Sequence, residues 1–177
     1  MYQTRNSVFE TNSSSTHSIC ISREHVEIPK GTTVRFRIGE YGWTNDTVED
    51  TASYLYTGIM YRQSDKEDLP KLKRMLDEMG IKYIFDTPKR DSWGLKYGYV
   101  DHAEELDGFI KAVLSDKDLL ARYLFGNSFI NTGNDNQDPH PDGCDICDEE
   151  FYDWDKKQWM PNPYHDPEHY EYFEKGN

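Results

Sequence analysis

Residues 9–22, FETNSSSTHSICIS, change character halfway along. Asn12, Ser13, Ser14, Ser15, Thr16 and Ser18 surround a single imidazole, His17, and the chain then turns apolar and β-prone at Ile19, Cys20 and Ile21. From His17 to Arg23 the side chains alternate, with Ile19 and Ile21 on one face and Ser18, Cys20 and Ser22 on the other. That period of two predicts a strand. Thr32 to Ile38 alternates in the same way, with Val34, Phe36 and Ile38 set against Arg35 and Arg37. Between the two lies EIPKGTT, whose Pro29 and Gly31 suit a turn, so the two segments are expected to form an antiparallel pair.

Helical spacing takes over further along the chain. Asn45 or Asp46 can cap a helix running to about Gln63, with Val48, Ala52, Leu55 and Ile59 on one face. A second helix opens near SDKEDLP. Ser64 with Glu67 fits a capping box, although Pro70 suits a start nearer Asp68. Its apolar stripe is Leu69, Leu72, Leu76 and Met79, and Gly80 stops it. IKYIFD and KYGYV read as strands. Asp101 can cap a third helix that buries Leu106, Phe109, Ile110 and Val113. Ser115 with Asp118 starts a short fourth helix that ends at Gly126, and NSFIN follows as a strand or turn. Strands, helices, mixed strands and helices in that order predict an α+β fold: a small mixed or antiparallel sheet packed with about four helices, plus an acidic C-terminal appendage.

The charge sets the expected division. The 177 residues carry a formal charge of −13. Residues 134–177 hold 13 of the 33 acidic and 3 of the 20 basic side chains, a charge of −10. Residues 1–133 are close to balance. The expected organisation is therefore an α+β body, 1–133, and an acidic appendage rich in Pro and aromatics, 134–177. Such a tail repels nucleic acid and anionic membrane and favours basic protein surfaces or cations. Aromatic residues make up 14% of the chain, too many for a disordered segment. There is no apolar run long enough for a membrane span and no apolar signal core, and three cysteines fit a reducing compartment. A cytoplasmic setting is expected.

The strongest chemical pattern lies in the acidic segment. Cys144 and Cys147 form a C-x2-C pair, and His165 and His169 form an H-x3-H pair, with 17 residues between the two. A C-x2-C turn places two thiolates on one ion, and two imidazoles four residues apart share a face of a helical turn. Together they supply the ligands of a tetrahedral Zn²⁺. The spacer exceeds the roughly 12 residues of a common zinc finger, and His140 is an alternative to either imidazole. The segment has few aliphatic residues, so a structural zinc would supply folding free energy that its core lacks. The plainer account is an acidic tail with incidental thiols and exposed histidines. A redox role for the C-x2-C pair is disfavoured, because Asp145, Asp148, Glu149 and Glu150 oppose thiolate formation.

The polar loop, Asn12, Ser13, Ser14, Ser15, Thr16 and His17, has a plain reading as a turn that satisfies its own hydrogen bonds. A second stretch, GNSFINTGNDN at 126–136, has the same character. If the two meet, Asn131, Thr132 and Asn134 would face the first loop across a pocket of neutral donors suited to phosphate, a sugar or a nucleobase edge. The P-loop pattern is absent. Ser15 and Ser18 are candidate nucleophiles with His17 as the nearby base and Asp135 as a candidate orienting acid, but adjacent strand residues such as His17 and Ser18 face opposite ways, so no catalytic residue is assigned.

VFETNSSSTHSICIS resembles the N-terminus of small proteins carried by gut-type bacteria and their phages, a group with no assigned activity, and NTGNDN is similar in character. The resemblance covers about a tenth of the chain. It implies a phage or mobile-element setting, in which inhibitors of host defence, including CRISPR nucleases, are common, and a host-cell cytoplasmic location. With the charge pattern it leads to the expectation of a non-enzymatic inhibitor or adaptor that binds a protein with a basic surface and mimics nucleic-acid charge. Asp148, Glu149, Glu150, Asp153 and Asp155 would stand in for phosphates, and Tyr152, Trp154 and Trp159 would anchor the interface. The alternative is an enzyme or binding protein for a phosphorylated or nucleotide-like small molecule, using the two polar loops.

Overall fold

The computed structural model describes residues 17–39, 44–91, 94–96, 98, 100, 106–132, 149–153 and 155–175. Its sheet is organised around β1, His17–Ser22, the strand at the end of the opening stretch. Two late strands flank it, both antiparallel: β7, Phe129–Thr132, on one edge and β10, Tyr170–Lys175, on the other. A two-residue strand, β3, Thr44–Asn45, pairs outside β7, giving the order β10-β1-β7-β3. Ile19 and Ile21 are fully buried as the alternation requires, and Ser18, Cys20 and Ser22 on the opposite face are buried too.

The expected antiparallel partner of β1 pairs elsewhere. β2, Thr33–Phe36, lies parallel to β4, Lys82–Phe85, from Thr33 opposite Lys82 to Phe36 opposite Phe85. The turn at Pro29–Thr32 does form, with the Thr32 amide donating to the Pro29 carbonyl at 3.2 Å. It redirects the chain rather than folding it back, because both edges of β1 are taken by strands more distant in sequence. A parallel pair needs a long crossover. Here it is supplied by two helices, α1, Val48–Tyr61, and α2, Asp65–Glu78. Phe36 stacks on Phe85 at 4.6 Å, and Tyr56 of α1 closes on the same rings. Two hairpins complete the strands: β5, Lys89–Asp91, with β6, Gly94–Lys96, and β8, Glu150–Asp153, with β9, Gln158–Pro161.

α1 is the central helix, with every residue from Thr51 to Met60 buried. Its cap is Thr47, whose side chain accepts from the Asp50 amide at 3.2 Å, rather than Asn45 or Asp46. Asn45 is already in β3. Val48, expected on the core face, is exposed. Gly58 leaves room for Leu106 from much later in the chain: a Cβ there would lie 3.1 Å from Leu106 Cδ1.

α2 begins at Asp65, so Pro70 sits inside the helix rather than in its first turn. The expected capping box does not form. The Ser64 hydroxyl donates to the Ile59 carbonyl at 3.3 Å, tying the two helices together, and the Ser64 carbonyl accepts the Glu67 and Asp68 amides. Gly80 stops the helix with a positive φ of 70°, and the Ile81 amide returns to the Leu76 carbonyl at 2.9 Å. α3, Asp107–Val113, buries Phe109, Ile110 and Val113 beside Leu106. Asp101, its expected cap, lies outside the described residues. α4, Lys117–Phe125, is capped by Asp116 rather than Ser115. The Asp116 carboxylate accepts the Asp118 and Leu119 amides, while the Ser115 hydroxyl donates to Ala112.

The protein is thus an α+β fold with four helices among the described residues. The acidic segment from 134 contributes its last strand, β10, to the central sheet, and Phe173 packs against the core. None of the described helices is long and apolar enough to cross a membrane.

Candidate functional site

Three regions gather the residues that carry chemistry. The first is the β8–β9 hairpin. Tyr152 lies opposite Trp159, and their rings meet edge to face at 5.6 Å and 73°. Trp159 nonetheless leaves 65% of its surface exposed, more than any other exposed large apolar residue described. The turn is held by Asp153. Its Oδ1 accepts the Asp155 and Lys156 amides at 3.0 and 2.9 Å, and Lys156 Nζ lies 2.9 Å from Oδ2. These bonds hold the Asp153 carboxyl below its ordinary range and push the Lys156 ammonium up. Asp153 is therefore committed to its own turn. Glu149, Glu150 and Asp155 are exposed. Asp148 and Trp154 lie outside the described residues.

The second region is the approach to β10. His165 and His169 fall in successive turns rather than on one helical turn. Their rings have different partners. His165 stacks on Tyr172 at 4.8 Å. His169 Nδ1 faces the Asp166 carboxylate at 2.9 and 3.0 Å. The hydrogen bond to Asp166 raises the His169 pKa, and the same bond lowers that of Asp166. An ionised Asp166 favours the tautomer with its proton on Nδ1, which leaves Nε2 as the acceptor. Cys144, Cys147 and His140 lie outside the described residues. Among the described residues no group of three or more His, Cys, Asp and Glu is arranged to hold a metal ion.

His169 also lines a cleft of about 290 Å³ together with Ser22, Glu24, Asn127, Asp166 and Tyr170. Its walls come from the end of β1, the turn before β7 and the turn before β10. Arg23 binds two of these walls together. Its backbone amide donates to the His169 carbonyl at 2.8 Å, and its Nε donates to the Pro167 and Tyr170 carbonyls, each at 3.0 Å. The third wall is fixed by Ser128, whose hydroxyl accepts the Ser22 amide at 2.9 Å and donates to the Arg122 carbonyl at 2.8 Å. Burial, then the charges of Cys20, Asp166 and Glu24, push the Tyr170 hydroxyl above its usual pKa, so it stays a donor. Sequence reasoning passed over Glu24, Asp166 and Tyr170, and took in Asn127 only as part of the polar stretch at 126–136. The available signal was the Asp-Pro-Glu-His run at 166–169, where a carboxylate and an imidazole three residues apart share a turn.

The third region is the end of the sheet where the polar loops leave it. His17 lies opposite Thr132 and Ser18 opposite Asn131 across the β1–β7 ladder. The register thus brings the C-terminal end of the first loop beside residues 131 and 132 of the second. Asn12, Ser13, Ser14, Ser15, Thr16 and Asn134 lie outside the described residues.

Comparison with protein-family models, with curated proteins and with solved structures gave no match.

Proposed function

We propose that the protein is a binding protein that docks on a basic, nucleic-acid-holding face of another protein through the β8–β9 hairpin. The observation that carries this reading is Trp159, which presents 65% of its surface to solvent from a two-stranded hairpin, braced by Tyr152. A tryptophan held by a neighbouring ring is a rigid anchor that loses little entropy on binding, and such residues dominate interface energetics. Glu149, Glu150 and Asp155 supply complementary charge around it and steer encounter with a basic partner. The N-terminal resemblance to phage-carried proteins makes a nuclease of host defence the partner class, with the hairpin's carboxylates in place of phosphates.

The test is biolayer interferometry of the full chain against immobilised defence nucleases, including a guide-loaded RNA-guided nuclease and a restriction endonuclease. Saturable binding to one of them that weakens by about 30-fold in Trp159→Ala, the size of a hot spot, supports the reading. Absence of binding to every nuclease, or equal binding by Trp159→Ala, overturns it.

The β1–β7 register supports a second reading, a site for a phosphorylated or nucleotide-like small molecule where the two Asn/Ser/Thr-rich loops adjoin. Its check is a thermal-shift screen with nucleotides and sugar phosphates. A ligand at 100 times its Kd stabilises by about 2.7 kcal/mol, and a flat response to the whole set removes this reading.

A further inference from the structure

We propose that the cleft between the end of β1 and the start of β10 receives an arginine side chain, with the Glu24 carboxylate as counter-ion and the Asn127 amide and Tyr170 beside it. This rests on the reading of the protein as a binder of basic surfaces and names one group of that surface. At about 290 Å³ the cleft is at the lower limit of small-molecule sites. It suits one long side chain rather than a nucleotide.

The polar groups of the cleft favour a planar cation. Glu24 and Asp166 both line the cleft, so two carboxylates stand in its wall. Asp166 is occupied by His169. Among the described residues the Glu24 carboxylate has no hydrogen bond or ion pair, although its backbone amide is fixed on Ser22 Oγ at 3.2 Å. A guanidinium meets a carboxylate with two parallel N–H donors, keeps further donors for the Asn127 carbonyl, and packs on an aromatic ring. An ammonium can reach the same groups, but as a point charge without the planar two-donor fork. A short run of chain links the cleft to the hairpin. β9 ends at Pro161, and the Asn162 amide, bound to the Glu149 carbonyl at 2.9 Å, starts the short run to Asp166.

The measurement is titration of the isotope-labelled full chain with N-acetyl-arginine amide, followed by backbone amide shifts, with neutral N-acetyl-citrulline amide as the control. A saturable response at residues 22–24, 127 and 166–170, with a Kd of about 1 mM, is expected. It should be absent with citrulline and about three- to fivefold weaker in Glu24→Gln, the loss of one ion pair on an exposed side chain. Shifts confined to other regions, equal shifts from the citrulline compound, or an unchanged Kd in Glu24→Gln overturn the proposal. The probe needs no partner protein, so its failure alongside Trp159-dependent nuclease binding removes the cleft and leaves the hairpin reading standing.

Discussion

The Tyr123 hydroxyl donates to the Thr51 carbonyl at 2.6 Å, linking the buried side of α4 to the first turns of α1. Both residues are buried, and Tyr123 is fully so. The ring meets Phe109 edge to face at 5.0 Å, so the side chain joins three helices. Tyr123→Phe keeps the ring and removes one hydrogen bond, while the Thr51 carbonyl retains its place in the helix. The expected loss is about 1 kcal/mol, whereas Tyr123→Ala, which also opens a cavity, should cost about 3–5 kcal/mol. Urea unfolding of the two variants measures both. Equal losses would show that the hydroxyl, rather than the ring, supports the core.

Arg62 closes the end of α1 onto Asp107 at the start of α3, and Lys111 reaches the same carboxylate. The Lys111 hydrogen bond, then the Arg62 interactions, hold the Asp107 carboxyl below its ordinary 3.8. A depressed folded-state pKa stabilises the fold above the unfolded value, and that contribution fades as pH falls through the folded value. Asp107→Asn should therefore be less stable than the wild type at pH 7, and the gap should narrow as pH drops below about 4. Denaturation series at several pH values read the gap, and one that widens on acidification contradicts the sign. Among the described residues Arg62 Nη1 is buried with no hydrogen-bond partner, which adds to the cost of removing its neighbour.

The elements with strong local signals were legible in the sequence. The alternation at 17–22 and the apolar spacing of α1 to α4 marked real strands and helices, although β1 is buried on both faces and α1 all round from Thr51 to Met60. Pairing was less legible. Nothing in residues 17–38 announces that β1 will pair with β7 and β10 instead of its neighbour, since Ile130 and Phe173, which flank it in the core, both come from late in the chain. Caps slipped by one or two residues for a related reason. Thr47 and Asp116 hold the amides, and Ser64 and Ser115 turn their hydroxyls to nearby carbonyls instead. The cleft was illegible because its residues come from three distant segments and none is unusual alone.

Trp159 separates binding from folding. Its side chain is mostly exposed and its main neighbour is Tyr152. Substitutions at such surface positions usually change stability by no more than about 0.5 kcal/mol, with loss of an aromatic pair adding about 0.5–1.5 kcal/mol. Trp159→Ala should thus lower the unfolding free energy by less than about 2 kcal/mol. A larger loss, or collapse of the β10 amide protection in hydrogen exchange, would make the tryptophan a structural residue rather than an interface anchor.

Zinc is the remaining sequence expectation, and the structure bears on half of its ligand set. His169 gives Nδ1 to Asp166, the arrangement in which a carboxylate orients an imidazole for metal binding through Nε2. With Cys144, Cys147 and His165, the proposed ion would tie the start of the acidic segment to the approach to β10. Protein purified without a histidine tag should carry about one zinc per chain, and Cys147→Ser should lose it while the four-helix body stays folded. Elemental analysis decides: less than about 0.2 zinc per chain, under conditions in which structural sites stay filled, removes the metal from this protein.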